Sequence, residues 1–316
     1  MQLRRLGNSG LQVSLVGLGC NNFGARLDLE ASRKVVHKAL DLGITLLDTA
    51  DVYGNRGGSE QQLGQILGDR RKDIVLATKF AMAMDDADIK KGASRRYIMN
   101  AVEDSLRRLK TDWIDLYQVH QLDPLTPIEE TLRTLNDLIR QGKVRYIGCS
   151  NFPAWRVVEA QWTAQHRALD GFISCQDEYS LVLREPERDL LPAMQAYDLG
   201  LLPYFPLASG LLTGKYRRNA AMPEGARLTN TQRLADRYLT EANWTVAERL
   251  QDFCAKRNHS LLDLAFSWLA AQPAVSSVIA GATKPEQLEQ NIRAVDWALT
   301  PEDLAEIDLI AKPARR

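Results

Sequence analysis

The stretch Leu46-Leu47-Asp48-Thr49-Ala50-Asp51-Val52-Tyr53-Gly54 ends a short apolar run in a carboxylate and places a tyrosine five residues further on. In a parallel α/β protein the C-terminal ends of the strands face the reaction site, so a tyrosine there is a candidate proton donor. For this segment alone, a polar turn leaving a strand is an equal reading. Two later runs end in kindred groups, Ala77-Thr78-Lys79 in a cation and Tyr117-Gln118-Val119-His120 in an imidazole. Singly, Lys79 reads as a solvated strand end and His120 as a structural histidine. Brought to one mouth, they support a definite chemistry. A free tyrosine has a pKa of about 10, a poor match to proton transfer near neutrality. An ammonium beside it stabilises the phenolate, and Lys79 can supply one, held in place by Asp48. His120 can donate a hydrogen bond to an oxygen on which negative charge develops. Ser150 and Asn151, Gln176, and Tyr204 sit in or at the ends of three further runs.

These residues need a scaffold that gathers strand ends, and the chain has the rhythm of one. Residues 2–6 and 11–14 read as a hairpin around Asn8-Ser9-Gly10. An apolar strand over 13–19 is followed by a helix capped by Asp28 and stopped by Gly43. The unit then repeats: strand 44–48 with a helix from a Ser59 cap, strand 74–79 with a helix from a Ser94 cap, strand 114–120 with helix 127–141. Strand 144–150 precedes helix 153–166, and strand 172–176 precedes helix 189–199. Residues 201–205 and 275–280 read as the seventh and eighth strands, with helices at 284–295 and 301–310 behind them. Eight strands alternating with helices predict a (β/α)8 barrel, one domain over residues 1–316, with the hairpin as a plug. A doubly wound sheet is the alternative. Its dinucleotide fingerprint fails, because Gly17-Leu18-Gly19 has Asn22 where a third glycine is needed. Gly148-Cys149-Ser150-Asn151-Phe152 fails as a hydrolase elbow. A long excursion from Leu207 to about Asn243, without an evident element of its own, reads as a lid over the mouth.

Composition excludes several classes. Forty basic and forty acidic residues among 316 leave no net field for nucleic acid or anionic lipid. No apolar run approaches the roughly 18 residues that span a membrane. The N-terminus has no apolar signal core, which predicts a cytoplasmic protein. Cys20, Cys149, Cys175 and Cys254 show no metal-binding spacing and read as small buried hydrophobes, and no metal is expected.

Asp48, Tyr53, Lys79 and His120, in that order on the second to fourth strands, resemble the aldo-keto reductase tetrad. The resemblance runs almost the whole chain, through Gly17-Leu18-Gly19-Cys20, the segments 48–54 and 145–152, Gln176-Asp177-Glu178-Tyr179, Tyr204-Phe205-Pro206-Leu207 and Gly281-Ala282-Thr283-Lys284. It implies reversible reduction of an aldehyde or ketone with hydride from NADP(H), Tyr53 giving the proton. It also implies a cofactor path. Ser150, Asn151 and Gln176 would hold the carboxamide and Tyr204 would stack on the nicotinamide, with Gly19 and Asp48 beside it. Phe205 and Pro206 would also touch the cofactor, and Leu207, Ser209, Gly210, Leu211, Thr213 and Lys215 would run along the pyrophosphate. Gly281, Ala282, Thr283 and Lys284 would receive the 2′-phosphate at a helix N-terminus, with Gln287, Gln290 and Asn291 at the ribose and adenine. The family often has Arg where this chain has Gln287. The branch that includes potassium-channel beta subunits shares the tetrad, and a redox-sensing regulatory protein is the alternative function. Those proteins carry an extension before the barrel, whereas Met1 here lies next to the first hairpin. Phe23, Met82 and Met84 are candidates for an apolar substrate wall, and Trp113 is expected behind the fourth strand. The expected partner is a small carbonyl compound; oligomeric state is not read.

Overall fold

The computed structural model describes residues 1–311. Ten strands form: β1 (Leu3–Arg5), β2 (Gln12–Ser14), β3 (Val16–Gly19), β4 (Leu46–Asp48), β5 (Val75–Phe80), β6 (Ile114–Val119), β7 (Val144–Ser150), β8 (Ser174–Gln176), β9 (Gly200–Leu201) and β10 (Val278–Gly281). Strands β3 to β10 make one parallel sheet in the order β10-β3-β4-β5-β6-β7-β8-β9. The sheet closes through Leu201 N–H to Ala274 O (2.7 Å), Ser276 N–H to Leu201 O (2.9 Å) and Ile279 N–H to Pro203 O (3.1 Å). The result is a (β/α)8 barrel.

The helices that return the chain are α1 (Leu29–Asp41), α2 (Tyr53–Ile66), α3 (Arg95–Leu109), α4 (Ile128–Arg140), α5 (Ala154–Arg167) and α6 (Leu190–Ala196). Between β9 and β10 come α7 (Arg227–Asn230), α8 (Gln232–Tyr238), α9 (Glu241–Ala255) and α10 (Leu261–Ala271); α11 (Pro285–Arg293) and α12 (Pro301–Ala311) follow. Helix starts at Asp28 and Ser94 are as expected: the Asp28 carboxylate accepts from Ala31 N–H (2.8 Å) and the Ser94 hydroxyl from Tyr97 N–H (3.4 Å). Ser59 is a correction. Its hydroxyl donates to Cys20 O (2.9 Å) and lies 2.8 Å from the Thr49 hydroxyl, so it ties α2 to the barrel and caps nothing. The seventh strand is also shorter than expected. Pro203 has no N–H to give the ladder, and Phe205 turns to a positive φ of 51°. The eighth begins at Val278, because Val275 makes an isolated bridge to Leu201. The excursion after β9 is not structureless, since α7 and α8 form within it.

The barrel interior is filled by Leu46, Val75, Ala77, Leu116, Ile173, Leu202 and Ile279, and the hairpin adds Leu6 and Val13 to the same cluster. The hairpin is bolted on by Arg4, which donates to the carbonyls of Val275 (2.9 Å) and Ala270 (2.7 Å). Gly7 turns at φ +56°, where a Cβ would stand 2.1 Å from the Ile173 carbonyl. The hairpin therefore plugs the end opposite the C-terminal ends of the barrel strands. All four cysteines are buried free thiols, Cys149 and Cys175 in register on β7 and β8.

Leu6 has none of its surface exposed. Leu6→Ala should cost about 2–5 kcal/mol of stability by leaving a cavity. The affinity of the folded protein for the nicotinamide cofactor that the resemblance implies should stay as in the wild type. Equilibrium unfolding in urea and a cofactor fluorescence titration check the two halves; a loss of affinity would mean that the plug reaches the mouth.

Candidate active site

The alternation of side chains along a strand points Asp48, Lys79, Gln118, Ser150 and Gln176 into the mouth from five neighbouring strands. Lys79 has no exposed surface. Its ammonium donates to Asp48 Oδ2 at 2.7 Å and to Thr49 O at 2.9 Å. The second carboxylate oxygen of Asp48 accepts from Gln118 Nε2 (3.2 Å) and Gln176 Nε2 (2.9 Å). Gln118 went unassigned in the sequence, where an inward amide on an apolar strand carries no motif. Tyr53 lies over this pair, its ring centroid 5.0 Å from Lys79 Nζ and 5.6 Å from the His120 ring, which meets it edge-on. The four residues of the expected tetrad thus converge.

Their electrostatics follow from burial. Desolvation depresses the Lys79 ammonium, but Asp48 and Tyr53 more than restore it and hold it above its ordinary value. Burial pushes the Tyr53 phenol upward, and the opposing pull of Lys79 does not fully offset it. Burial, reinforced by the positive charge of Lys79, lowers His120 to about 3, so the imidazole is neutral at working pH. Its Nδ1 is buried without a hydrogen-bond partner among the described residues.

A cleft of about 490 Å³ opens from this floor, within the range of small-molecule sites. Its wall includes Gly19, Asp48, Tyr53, His120, Ser150, Asn151, Gln176, Tyr204, Phe205, Pro206, Leu207, Ser209, Gly210, Thr213, Lys215, Gly281, Thr283 and Gln287. Asn151, held at φ +58°, donates to His120 O and to the Ser150 hydroxyl (2.9 Å each) and accepts from the Tyr204 hydroxyl (2.8 Å). That network joins the floor to the lid side. Five expected contacts stand off the wall. Leu211 and Ala282 are buried in the core, Asn291 is buried, and Lys284 and Gln290 are exposed at α11. Phe23 is a correction too: it is fully buried in the core, not in a substrate wall, and Met82 and Met84 lie outside the cleft. Trp113 sits as expected ahead of β6, with the guanidinium groups of Arg71 and Arg145 each 4.6 Å from its ring centroid.

The cleft also gathers cations that sequence reasoning missed. Arg26 from the loop after β3 and Arg227 from α7 join Lys215 along its wall, and among the described residues none of the three forms an ion pair. Arg227 rests over the Phe205 ring at 5.0 Å. Their proximity shows in the charges: burial and then Arg26 depress both Lys215 and Arg227. At the far end, Gln287 Oε1 folds back to accept from Thr283 N–H (2.7 Å) and Lys284 N–H (3.2 Å) at the start of α11. The floor is polar and partly apolar, the middle cationic, the end a helix N-terminus. An elongated molecule with a planar head and an anionic body fits that sequence of surfaces. The lid is fastened from below, where buried Glu178 accepts from Arg237 and from the Tyr238 hydroxyl.

Residues 15–312 match the family model described as the aldo/keto reductase family. The chain belongs to that family. Its curated relatives include a probable voltage-gated potassium channel subunit beta of Oryza sativa subsp. japonica, 38% identical over 100% of this chain and 98% of the relative. The L-glyceraldehyde 3-phosphate reductase of Escherichia coli (strain K12) is 33% identical over 98% and 92%. The versiconal hemiacetal acetate reductase of Aspergillus parasiticus is 32% identical over 96% and 95%. Membership makes this aldo/keto reductase an oxidoreductase by family. No described helix is long and apolar enough to cross a membrane.

The depressed His120 has a consequence for stability. An unfolded histidine titrates near pH 6.5, so below that the unfolded chain takes a proton that the folded chain refuses until about pH 3. Stability therefore declines as pH falls through this window. In His120→Phe that part of the decline should vanish. Thermal unfolding measured from pH 7 to pH 4 on both proteins checks it; parallel curves would mean that His120 accepts a proton in the folded state.

Proposed function

We propose that this chain is an NADP(H)-dependent reductase of small aldehydes or ketones, acting reversibly, with Tyr53 as the proton donor. The observation that carries the reading is the buried Lys79–Asp48 pair directly beneath Tyr53 on the floor of the cleft. Bound in the cleft, the cofactor would supply the hydride that no side chain can. Ser150, Asn151 and Gln176 would hold its carboxamide, Tyr204 its ring, Lys215 and Arg227 its pyrophosphate, and Lys284 with the α11 N-terminus its 2′-phosphate. The protein's own part is proton chemistry. Neutral His120 donates a hydrogen bond that orients the carbonyl oxygen. Tyr53 gives its proton to that oxygen as negative charge develops there. Lys79 then faces the phenolate, and the attraction stabilises it. Asp48, fixed by two glutamine amides, keeps the ammonium in place.

The high resting state of Tyr53 suits an acid: the phenol stays protonated until the substrate oxygen calls for it. Tyr53→Phe should leave cofactor affinity intact and lower single-turnover hydride transfer by about 10²–10⁴-fold, the usual range for a general acid. A rate near wild type would mean that water or another group delivers the proton. A second reading, a nicotinamide-binding regulatory protein with little turnover, draws on the potassium-channel relatives. Steady-state oxidation of NADPH over a panel of aldehydes, ketones and phosphorylated sugars separates the two.

Lys284, exposed at the start of α11 just off the cleft wall, carries the proposed preference for NADP(H) over NAD(H). A charge facing a phosphate at an open site is worth about 1–3 kcal/mol. Lys284→Ala should therefore weaken NADPH binding about 5- to 150-fold and scarcely change NADH. Equal losses for both cofactors would show that Lys284 does not read the phosphate.

A further inference from the structure

Much of the cleft wall comes from strand ends, but Arg227 reaches it from the lid, on α7. The chain that delivers it, residues 214–226, contains no helix or strand. Gly214 and Gly225 turn there at positive φ, with nothing within 4 Å of an added Cβ. Within this stretch the Tyr216 hydroxyl accepts from Leu228 N–H at 3.1 Å, which ties the backbone of α7 and not the Arg227 side chain. Helices α7 and α8 have four and seven residues, too few to be stable without tertiary contacts. Buried Leu228 and Leu234 seat them on the core. That packing is non-directional. Something else must set where the guanidinium points.

The Arg227 side chain leans on a row of rings. Its guanidinium lies 5.0 Å from the Phe205 ring centroid, within cation–π reach. The Phe205 ring meets Tyr204 at 5.3 Å and Tyr238 of α8 at 6.4 Å, both edge-on. The Tyr238 hydroxyl donates to one oxygen of Glu178, and Arg237 donates to the other. Glu178 is buried just past the end of β8, where it forms an isolated parallel bridge with Tyr204. One carboxylate on the barrel rim thus grips a lid helix by two side-chain bonds. Through Tyr238 it also backs the ring under Arg227. Neither Glu178 nor Tyr238 lines the cleft itself.

We propose that Glu178 is a positioning residue for Arg227: by fastening Tyr238 to the barrel rim, it sets the Phe205 ring and the guanidinium resting on it. The inference rests on the role given above to Arg227 at the cofactor pyrophosphate. An indirect hold suits that role. A carboxylate touching Arg227 would neutralise the charge and occupy its donors. A ring face orients a guanidinium while leaving its N–H groups free for an anion. Glu178 is engaged by Arg237 instead, and Arg227 forms no ion pair among the described residues. The Arg237 side chain is 51% exposed. Removing Glu178 therefore strands no buried cation, and Glu178→Ala should fold.

The test is a double-mutant cycle in the full chain, made of Glu178→Ala, Arg227→Gln and the pair, read as NADPH affinity by fluorescence titration. Arg227→Gln should weaken NADPH binding about 5- to 150-fold, the usual range for a hydrogen-bonded charge. Glu178→Ala should weaken it about 3- to 30-fold, within the coupling seen between residues of one network. NADPH should dissociate faster by about the same factor in a stopped-flow chase. In the Arg227→Gln background Glu178→Ala should have little further effect, because the group it positions is gone. Glu178→Gln keeps an acceptor for the Tyr238 hydroxyl and should bind NADPH close to wild type. Tyr238→Phe, which removes that hydroxyl and keeps the ring, takes the place of Glu178→Ala in the cycle if the latter does not fold. The proposal is overturned if the loss persists in full beside Arg227→Gln, or if Gln at position 178 does as much harm as Ala. It is also overturned if Glu178→Ala binds NADPH normally while Arg227→Gln does not. Normal binding by Arg227→Gln would instead remove the reading of the cleft on which this rests.

Discussion

An ammonium with no exposed surface is the constraint around which this barrel is arranged. Taking the charge of Lys79 out of water costs several kcal/mol unless it is paired and hydrogen-bonded. Asp48 and the carbonyl of Thr49 meet that demand. The carboxylate must then be held in turn, and two glutamines from strands on the far side of β5 do so. A chain of obligations therefore runs from β4 through β5 and β6 to β8. It is closed to water below by the plug and by the apolar layer of the barrel interior. Removing Lys79 or Asp48 leaves the other as an uncompensated buried charge, so the site is rigid where the chemistry needs a fixed distance.

The mouth is built on the opposite plan. Its cations come from the rim and from the lid, and they face one another without carboxylates between them. Burial and then the charge of Arg26 depress both Lys215 and Arg227, an arrangement that costs energy until something negative lies among them. The floor is satisfied internally and the mouth is not. On the proposed reading the first holds a proton-transfer geometry and the second receives an anion.

The sequence made the floor legible because strand ends carry their own signature: an apolar run that stops at Asp48, at Lys79 or just before His120 can be read locally. Helix caps at Asp28 and Ser94 were legible for the same reason. What depends on distant parts of the chain was not. Ser59 has the residue type of a cap, yet its hydroxyl is used across the chain at Cys20 and Thr49. Gln118 looked like any polar residue in a strand until Asp48 came within reach. Arg26 and Arg227 meet only because the lid folds back over the rim. Phe23, an apolar residue in a loop at the mouth, turns inward because the core offers it complete burial. The seventh strand reads longer in the sequence than it is, since the apolar run continues through Pro203 while the hydrogen-bond ladder cannot.

Gln287 folded back on the start of α11 makes the far end of the cleft a self-occupied site. The amide oxygen already satisfies the N–H groups of Thr283 and Lys284, so on the proposed reading an incoming phosphate would not fill vacant donors. It would exchange with a ligand that the protein supplies in cis and at fixed local concentration. The hydrogen bonds gained and lost would nearly cancel. What would distinguish the newcomer is its charge against Lys284 and the dipole of the helix. Recognition there would be a competition between a neutral internal tenant and an anionic external one. Its outcome would follow ionic strength, which screens the anion and leaves the amide untouched.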